Sequence, residues 1–222
     1  MKSKLIDYGF IGVGLLIQVV TFYISNSLAP NTVLPLSLIS GCLGVCSVCL
    51  ASQGNILTYV FGFAQVLTYS YLCWTQRFYG EIAINAYYFG TMIYGVYAWR
   101  KRLQADSSVV TPQRLKLPVT IGIVLAALIG SWLVGWGLAA WTDDSQPYLD
   151  AFTTIPALVA QVLMILAYRE HWFIWLAVDI LSVALWLRAG DYCMTAQYAF
   201  WCANCIYGLR RWRELTSSSS SL

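Results

Sequence analysis

Charge is what this chain has least of. Asp, Glu, Lys and Arg together make up 10% of its 222 residues, where a soluble domain carries roughly 25%. That scarcity excludes an ordinary soluble globular fold. Histidine occurs once, as His171, and there is no H-E-x-x-H, so a zinc hydrolase is excluded. The four lysines are Lys2, Lys4, Lys101 and Lys116. None lies inside an apolar block, which excludes a retinal Schiff base. There is no Gly-rich phosphate loop, so an ATP-driven pump would need another subunit. Rings of repeated charge and filter-like backbone segments, the marks of a channel, are missing too. An intramembrane protease would need paired Asp residues or a Ser with a His, but Asp179 has no Asp companion within a block. The seven cysteines fall in or at the ends of apolar blocks, where Cys serves as a small apolar residue. Cys202 and Cys205 form a lone C-x-x-C, which without a second pair does not read as a metal site. No cofactor, metal or catalytic residue is expected.

Hydrophobic residues, by contrast, make up 59% of the chain. They run in blocks about 20 residues long, the length a helix needs to cross a bilayer core about 30 Å thick. The blocks are Tyr8–Leu28, Thr32–Gln53, Asn55–Gln76, Ile82–Trp99, Val119–Thr142, Ala151–Tyr168, Trp172–Leu187 and Tyr192–Leu209. Backbone in lipid must satisfy its own hydrogen bonds, so each block is predicted to be a helix. The expected fold is all-α, an integral membrane protein of about eight transmembrane helices. The first block is too long for a signal core and no small-residue cleavage site follows it, so it is expected to be a mature helix.

With the N-terminus inside, eleven of the thirteen Lys and Arg residues fall on the inner side. Arg77 and Arg188 alone fall outside, and the outer loop after the fifth helix carries Asp143, Asp144 and Asp150. The positive-inside rule then puts both termini in the cytoplasm. The net charge of +3 reads as a topology signal, and no nucleic-acid partner is expected. The serine run Ser217–Ser221 reads as a short disordered polar end.

The chain also repeats itself. Ile93-Tyr94-Gly95-Val96-Tyr97-Ala98-Trp99-Arg100 is echoed by Ile206-Tyr207-Gly208-Leu209-Arg210-Arg211-Trp212-Arg213, an offset of 113 residues (207 − 94). Tyr79 and Tyr192, and aromatic Tyr88 and Trp201, share that offset. One reading is a shared helix end with an interfacial aromatic. The other is a duplication of three helices. The second divides the chain into an N-terminal tail and accessory helix (1–31), a first repeat (32–99), a basic cytoplasmic linker (100–118), a linking helix (119–142), a second repeat (151–213) and a polar tail (214–222). A single linking helix makes the repeats parallel, a plan transporters use with the substrate near the midplane.

Polar residues inside the blocks mark candidate binding positions. A charge at mid-bilayer costs at least ~2.5–3.5 kcal/mol, and Asp179 lies roughly 10 Å into its helix. Trp172, Trp175, Asp179, Ser182 and Trp186 share one helix face. An aromatic wall beside a carboxylate suits a flat, cationic or hydroxylated ligand. Glu81, Asn85 and Tyr88 form a second stripe, and Gln197, Trp201 and Asn204 a third. Gln65, with Thr68 and Tyr69, and Gln161, with Thr154 and Tyr168, add further groups. Any one of these amides equally suits helix–helix glue.

The segment Glu170-His171-Trp172-Phe173-Ile174-Trp175 followed by Asp179 resembles the W-x-x-W helix of the PnuC-type vitamin transporters. The Ile-Tyr-Gly-x-Tyr-x-Trp end of the fourth helix and the Tyr79-Gly80-Glu81 approach to Asn85 resemble that family as well. The resemblance spans Thr32 to Arg213. It implies a SWEET-like arrangement of three, one and three helices with an accessory N-terminal helix, assembled as a homotrimer in a bacterial cytoplasmic membrane. It implies facilitated uptake of nicotinamide riboside, with thiamine the alternative, and a cytoplasmic kinase that traps the product. Trp172 and Trp175 are then the motif tryptophans, and Gln65, Asn85, Asp179 and Asn204 fall where polar pocket residues would lie. The family's nicotinamide riboside members often carry Asn where this chain has Asp179. Both vitamins bear a fixed positive charge, so an acid suits either, and nicotinamide riboside is placed first because it defines the family.

Overall fold

The computed structural model describes residues 2–28, 35–76, 79–103, 107–143, 146–189 and 192–219. Eight helices follow one another: α1 (Lys2–Leu28), α2 (Pro35–Ser52), α3 (Thr58–Gln76), α4 (Tyr79–Arg100), α5 (Leu117–Trp141), α6 (Pro147–Ile165), α7 (His171–Ala189) and α8 (Tyr192–Ser219). Each apolar block is thus one helix. Four of them, within α1, α2, α5 and α6, are long and apolar enough to cross a membrane on composition alone. In α3, α4 and α8 the amides, hydroxyls and tyrosines of the candidate stripes dilute the apolar character. The large side chains exposed along α1 and α5 are Leu, Ile, Val, Tyr and Trp, as suits a lipid-facing helix.

The chain forms two compact units, residues 1–111 and 112–222. In the first, α1 packs on α2, α2 on α3, and α3 on α4. In the second, α5 packs on α6, α6 on α7, and α7 on α8. The 113-residue offset runs through both. The starts of α3 and α7 (Thr58, His171) and of α4 and α8 (Tyr79, Tyr192) are separated by it, as are the ends of α1 and α5 (Leu28, Trp141). By register and packing partner, α1 is therefore the counterpart of α5, although Gly9/Gly122 and Leu15/Leu128 are the only identities the pair shares at that offset.

The turn before α3 and the turn before α7 are built alike. Gly54 has φ 70° and Ala167 has φ 59°, both left-handed. Gly54 N–H donates to Ala51 O and Asn55 N–H to Leu50 O, each at 2.9 Å; Ala167 N–H donates to Met164 O and Tyr168 N–H to Leu163 O, each at 2.9 Å. This is the Schellman pattern, which satisfies the last carbonyls of α2 and α6. The linker ties to both turns. Val110 N–H donates to Gly54 O at 2.8 Å and Ile56 N–H to Ser108 O at 2.9 Å. Gln113 N–H donates to Ala167 O at 2.7 Å and Arg169 N–H to Gln113 O at 3.0 Å. A left-handed alanine carries roughly 1 kcal/mol of strain that glycine does not. Gly54→Ala is therefore expected to lower thermal stability by about 1 kcal/mol, whereas Ala167→Gly holds or raises it. Unfolding both variants in one detergent checks this; equal losses would contradict it.

A buried aromatic sits on a glycine in each unit. The Tyr59 ring covers Gly95 and meets Trp99 edge-on with centroids 5.2 Å apart. The Trp172 ring covers Gly208 and meets Trp212 edge-on at 6.0 Å. Tyr59/Trp172, Gly95/Gly208 and Trp99/Trp212 all keep the offset of 113. The duplication is thus a matter of packing as well as of spelling. In the second unit His171 completes the cluster, its ring 4.5 Å from Trp172 and 4.6 Å from Trp212, with Nδ1 2.6 Å from Tyr168 O.

The first residues of the expected polar tail (214–222) are helical. α8 continues to Ser219, because Trp212 and Leu215 are buried beyond the apolar block. Thr216 Oγ1 also donates to Trp212 O at 2.7 Å.

Candidate substrate site

The sharpest polar feature lies in the second unit. Asp179, in the middle of α7, is 4% exposed. Its Oδ2 accepts a hydrogen bond from Cys205 Sγ of α8 at 3.3 Å. No basic side chain pairs with it among the described residues. A carboxylate out of water without a cation costs several kcal/mol, and a thiol is a weak donor. Asp179 is therefore a buried acid with no basic side chain paired to it among the described residues.

On the same helix as Cys205, α8 carries further candidate residues. Asn204, next to Cys205, is fully buried. Trp201, one turn earlier, is half-buried and meets Tyr198 edge-on at 4.9 Å. The Trp201 indole N–H is buried and has no partner among the described residues. Gln197 is half-buried a further turn along. On α7, Ser182 is buried one turn beyond Asp179, and Trp175 is half-buried one turn before it. Gln161 on α6 is buried.

Trp172 stands apart from this set. It is 3% exposed and wedged between Gly208, His171 and Trp212, in the place that Tyr59 takes in the first unit. Its surroundings are those of a helix spacer.

In the first unit Asn85 is buried, while Gln65 and Tyr88 are half-buried. The stem of Gln65 lies against Gly44. Gly41 is covered by the Gln18 amide of α1. Glu81 and Trp186 lie in helices, but their side chains fall outside the described residues.

Cys205 was not among the candidate residues. The C-x-x-C spacing points to metal or redox chemistry, and only the register of α7 on α8 reveals it as a donor. Cys205→Ala is expected to weaken ligand binding about fivefold, the value of one modest hydrogen bond, while Cys205→Ser keeps a donor and keeps binding. Titration calorimetry on both variants tests this, and equal affinities in the two would contradict it.

A family model described as nicotinamide mononucleotide transporter matches residues 34–214. The chain belongs to that family. Family membership makes it a multi-pass membrane transporter and not an enzyme. Among curated relatives, the nicotinamide riboside transporter PnuC of Haemophilus influenzae is 32% identical over 188 residues, covering 83% of this chain and 82% of that one. That of Neisseria mucosa is 31% identical over 201 residues, covering 83% and 74%. That of Escherichia coli is 24% identical over 193 residues, covering 76% and 81%. A crystal structure of the vitamin B3 transporter PnuC superposes with a TM-score of 0.74 at 28% identity, covering 94% of this chain and 92% of that one. The helical fold of this family member is therefore that of a solved transporter.

Proposed function

We propose that this protein carries nicotinamide riboside across the bacterial cytoplasmic membrane by facilitated diffusion. The observation that carries the reading is Asp179: a buried carboxylate held by a thiol, with no basic side chain paired to it among the described residues. Nicotinamide riboside supplies the missing positive charge in its pyridinium ring and offers a carboxamide and ribose hydroxyls. Trp175 and Trp201 flank the ring, since aromatic faces attract a desolvated cation by ~2 kcal/mol. The Trp201 N–H and Asn204 bond its polar groups. Gln161 and Gln197 are further contacts assigned from the sequence stripes, and Gln65, Asn85, Tyr88 and Glu81 are the candidates of the first unit.

The same charge argument separates the riboside from its mononucleotide. A phosphate would bring negative charge to residues that include an acid and no base. Thiamine is cationic too, but the Haemophilus influenzae and Neisseria mucosa relatives bear the riboside's name.

Transport proceeds by alternating exposure of the bound riboside to the two sides of the membrane, with both termini cytoplasmic in keeping with the basic clusters. The working assembly is a homotrimer, and a cytoplasmic kinase that phosphorylates the product keeps the gradient inward.

Calorimetry on the purified protein tests the substrate. Nicotinamide riboside is expected to bind at least tenfold more tightly than either nicotinamide mononucleotide or thiamine. Tighter binding of the mononucleotide would remove the charge argument, and tighter binding of thiamine would reassign the vitamin.

A further inference from the structure

We propose that the second unit carries a binding site for one anionic phospholipid, separate from the substrate residues. A cavity of about 110 Å³ opens between the first turns of α5, α7 and the end of α6. Its walls include Ile123, Val124, Leu163, Phe173 and Ile174. Leu163 is 5% exposed, so the floor is dry, while Val124 and Phe173 are open to the outside at 40% and 48%. An apolar recess on the lipid-facing side of a membrane helix pair is filled by an acyl chain at no desolvation cost.

The mouth decides the headgroup. Leu115 lines the cavity, and its neighbours Arg114 and Lys116 are both exposed. Lys116 occupies the N-cap position of α5 without making a side-chain cap bond. The Arg213 guanidinium lies 5.7 Å from the centre of the Phe173 ring, which holds a third cation over the same opening. The acid at the mouth, Glu170, is already engaged. Its Oε2 accepts Leu115 N–H at 3.1 Å, and its Oε1 lies 3.4 Å from Arg169 Nε. Cations on the residues that flank Leu115 and beside Phe173, with the nearby carboxylate turned to backbone and arginine, complement a phosphate whose chain enters the recess.

The pattern differs from the general basic flank of a membrane helix. Lys101, for example, lies over the Tyr97 ring at 4.1 Å, and neither residue lines this recess. At the α5–α7 opening the charge and the recess coincide.

Native mass spectrometry of the purified full chain, equilibrated with equal phosphatidylglycerol and phosphatidylcholine, tests the proposal. Wild type is expected to retain phosphatidylglycerol in preference to phosphatidylcholine. Lys116→Gln with Arg213→Gln is expected to lower that retention roughly tenfold, each headgroup charge contributing a few-fold, while leaving helical content unchanged. Val124→Trp, which fills the recess, is expected to lower retention with the charges intact. Equal retention of the two lipids by wild type would overturn the proposal, as would phosphatidylglycerol retention unchanged in the charge variant. Because both residues are exposed, loss of folding does not mask that result. Nicotinamide riboside affinity, measured on the same variants, is expected to stay constant.

Discussion

Asp179→Ala is expected to weaken nicotinamide riboside binding by about ten- to a hundredfold while leaving thermal stability equal or higher. The two halves of this expectation have one cause. A hydrogen bond or contact with a charged partner in a dry site contributes ~1.5–3 kcal/mol, which is that range of affinity. The same carboxyl gains little in the empty protein, where its partner among the described residues is the Cys205 thiol, a weak donor. Burying a carboxyl with only a thiol to hold it costs desolvation free energy, so its removal leaves the fold as stable or more so. Asp179→Asn separates charge from hydrogen bonding: it is expected to lie between wild type and Asp179→Ala. Calorimetry and thermal unfolding on the three proteins check both halves. A stability loss in Asp179→Ala as large as the affinity loss would mark the residue as structural glue instead.

Gly208→Ala is expected to have the largest effect on folding. A Cβ there would fall 2.7 Å from two atoms of the Trp172 ring, and the ring is held on its other side by His171 and Trp212. Overpacking against a ring that cannot turn away costs about 3 kcal/mol, enough to lower the midpoint of unfolding by about 5–10 °C. Trp172→Leu in the same chain makes room and is expected to recover much of the loss. The pair also settles the part Trp172 plays. If it is a spacer, Trp172→Tyr, which copies Tyr59 of the first unit, keeps riboside affinity within about twofold. A tenfold loss of affinity without loss of stability would return Trp172 to the binding set.

The eight helices were legible because lipid forbids charge, so scarce charges outline every apolar block. The ends were less so. α8 runs past Leu209 because Trp212 and Leu215 bury against the second unit, and that packing overrides the polar composition of the stretch. The repeat was legible through Tyr-Gly-x-x-x-Trp, since a glycine under an aromatic ring tolerates no other residue. Its turns were hidden: Ala167 stands where the first unit has Gly54, so the left-handed residue was spelled in only one of the two copies. The kinship of α1 with α5 was hidden too, because lipid-facing helices select apolar character and not identity. Asp179 could be picked out as a buried charge, but its partner could not. A helix–helix contact at a separation of 26 residues depends on the register of α7 against α8, which sequence spacing does not give.

Uptake into proteoliposomes tests the central claim most directly. Labelled nicotinamide riboside is expected to enter vesicles carrying the protein, to level off at equal concentrations inside and out, and to do so without an imposed ion gradient. Uptake no faster than in protein-free vesicles, or uptake that the mononucleotide blocks as well as unlabelled riboside does, would contradict it.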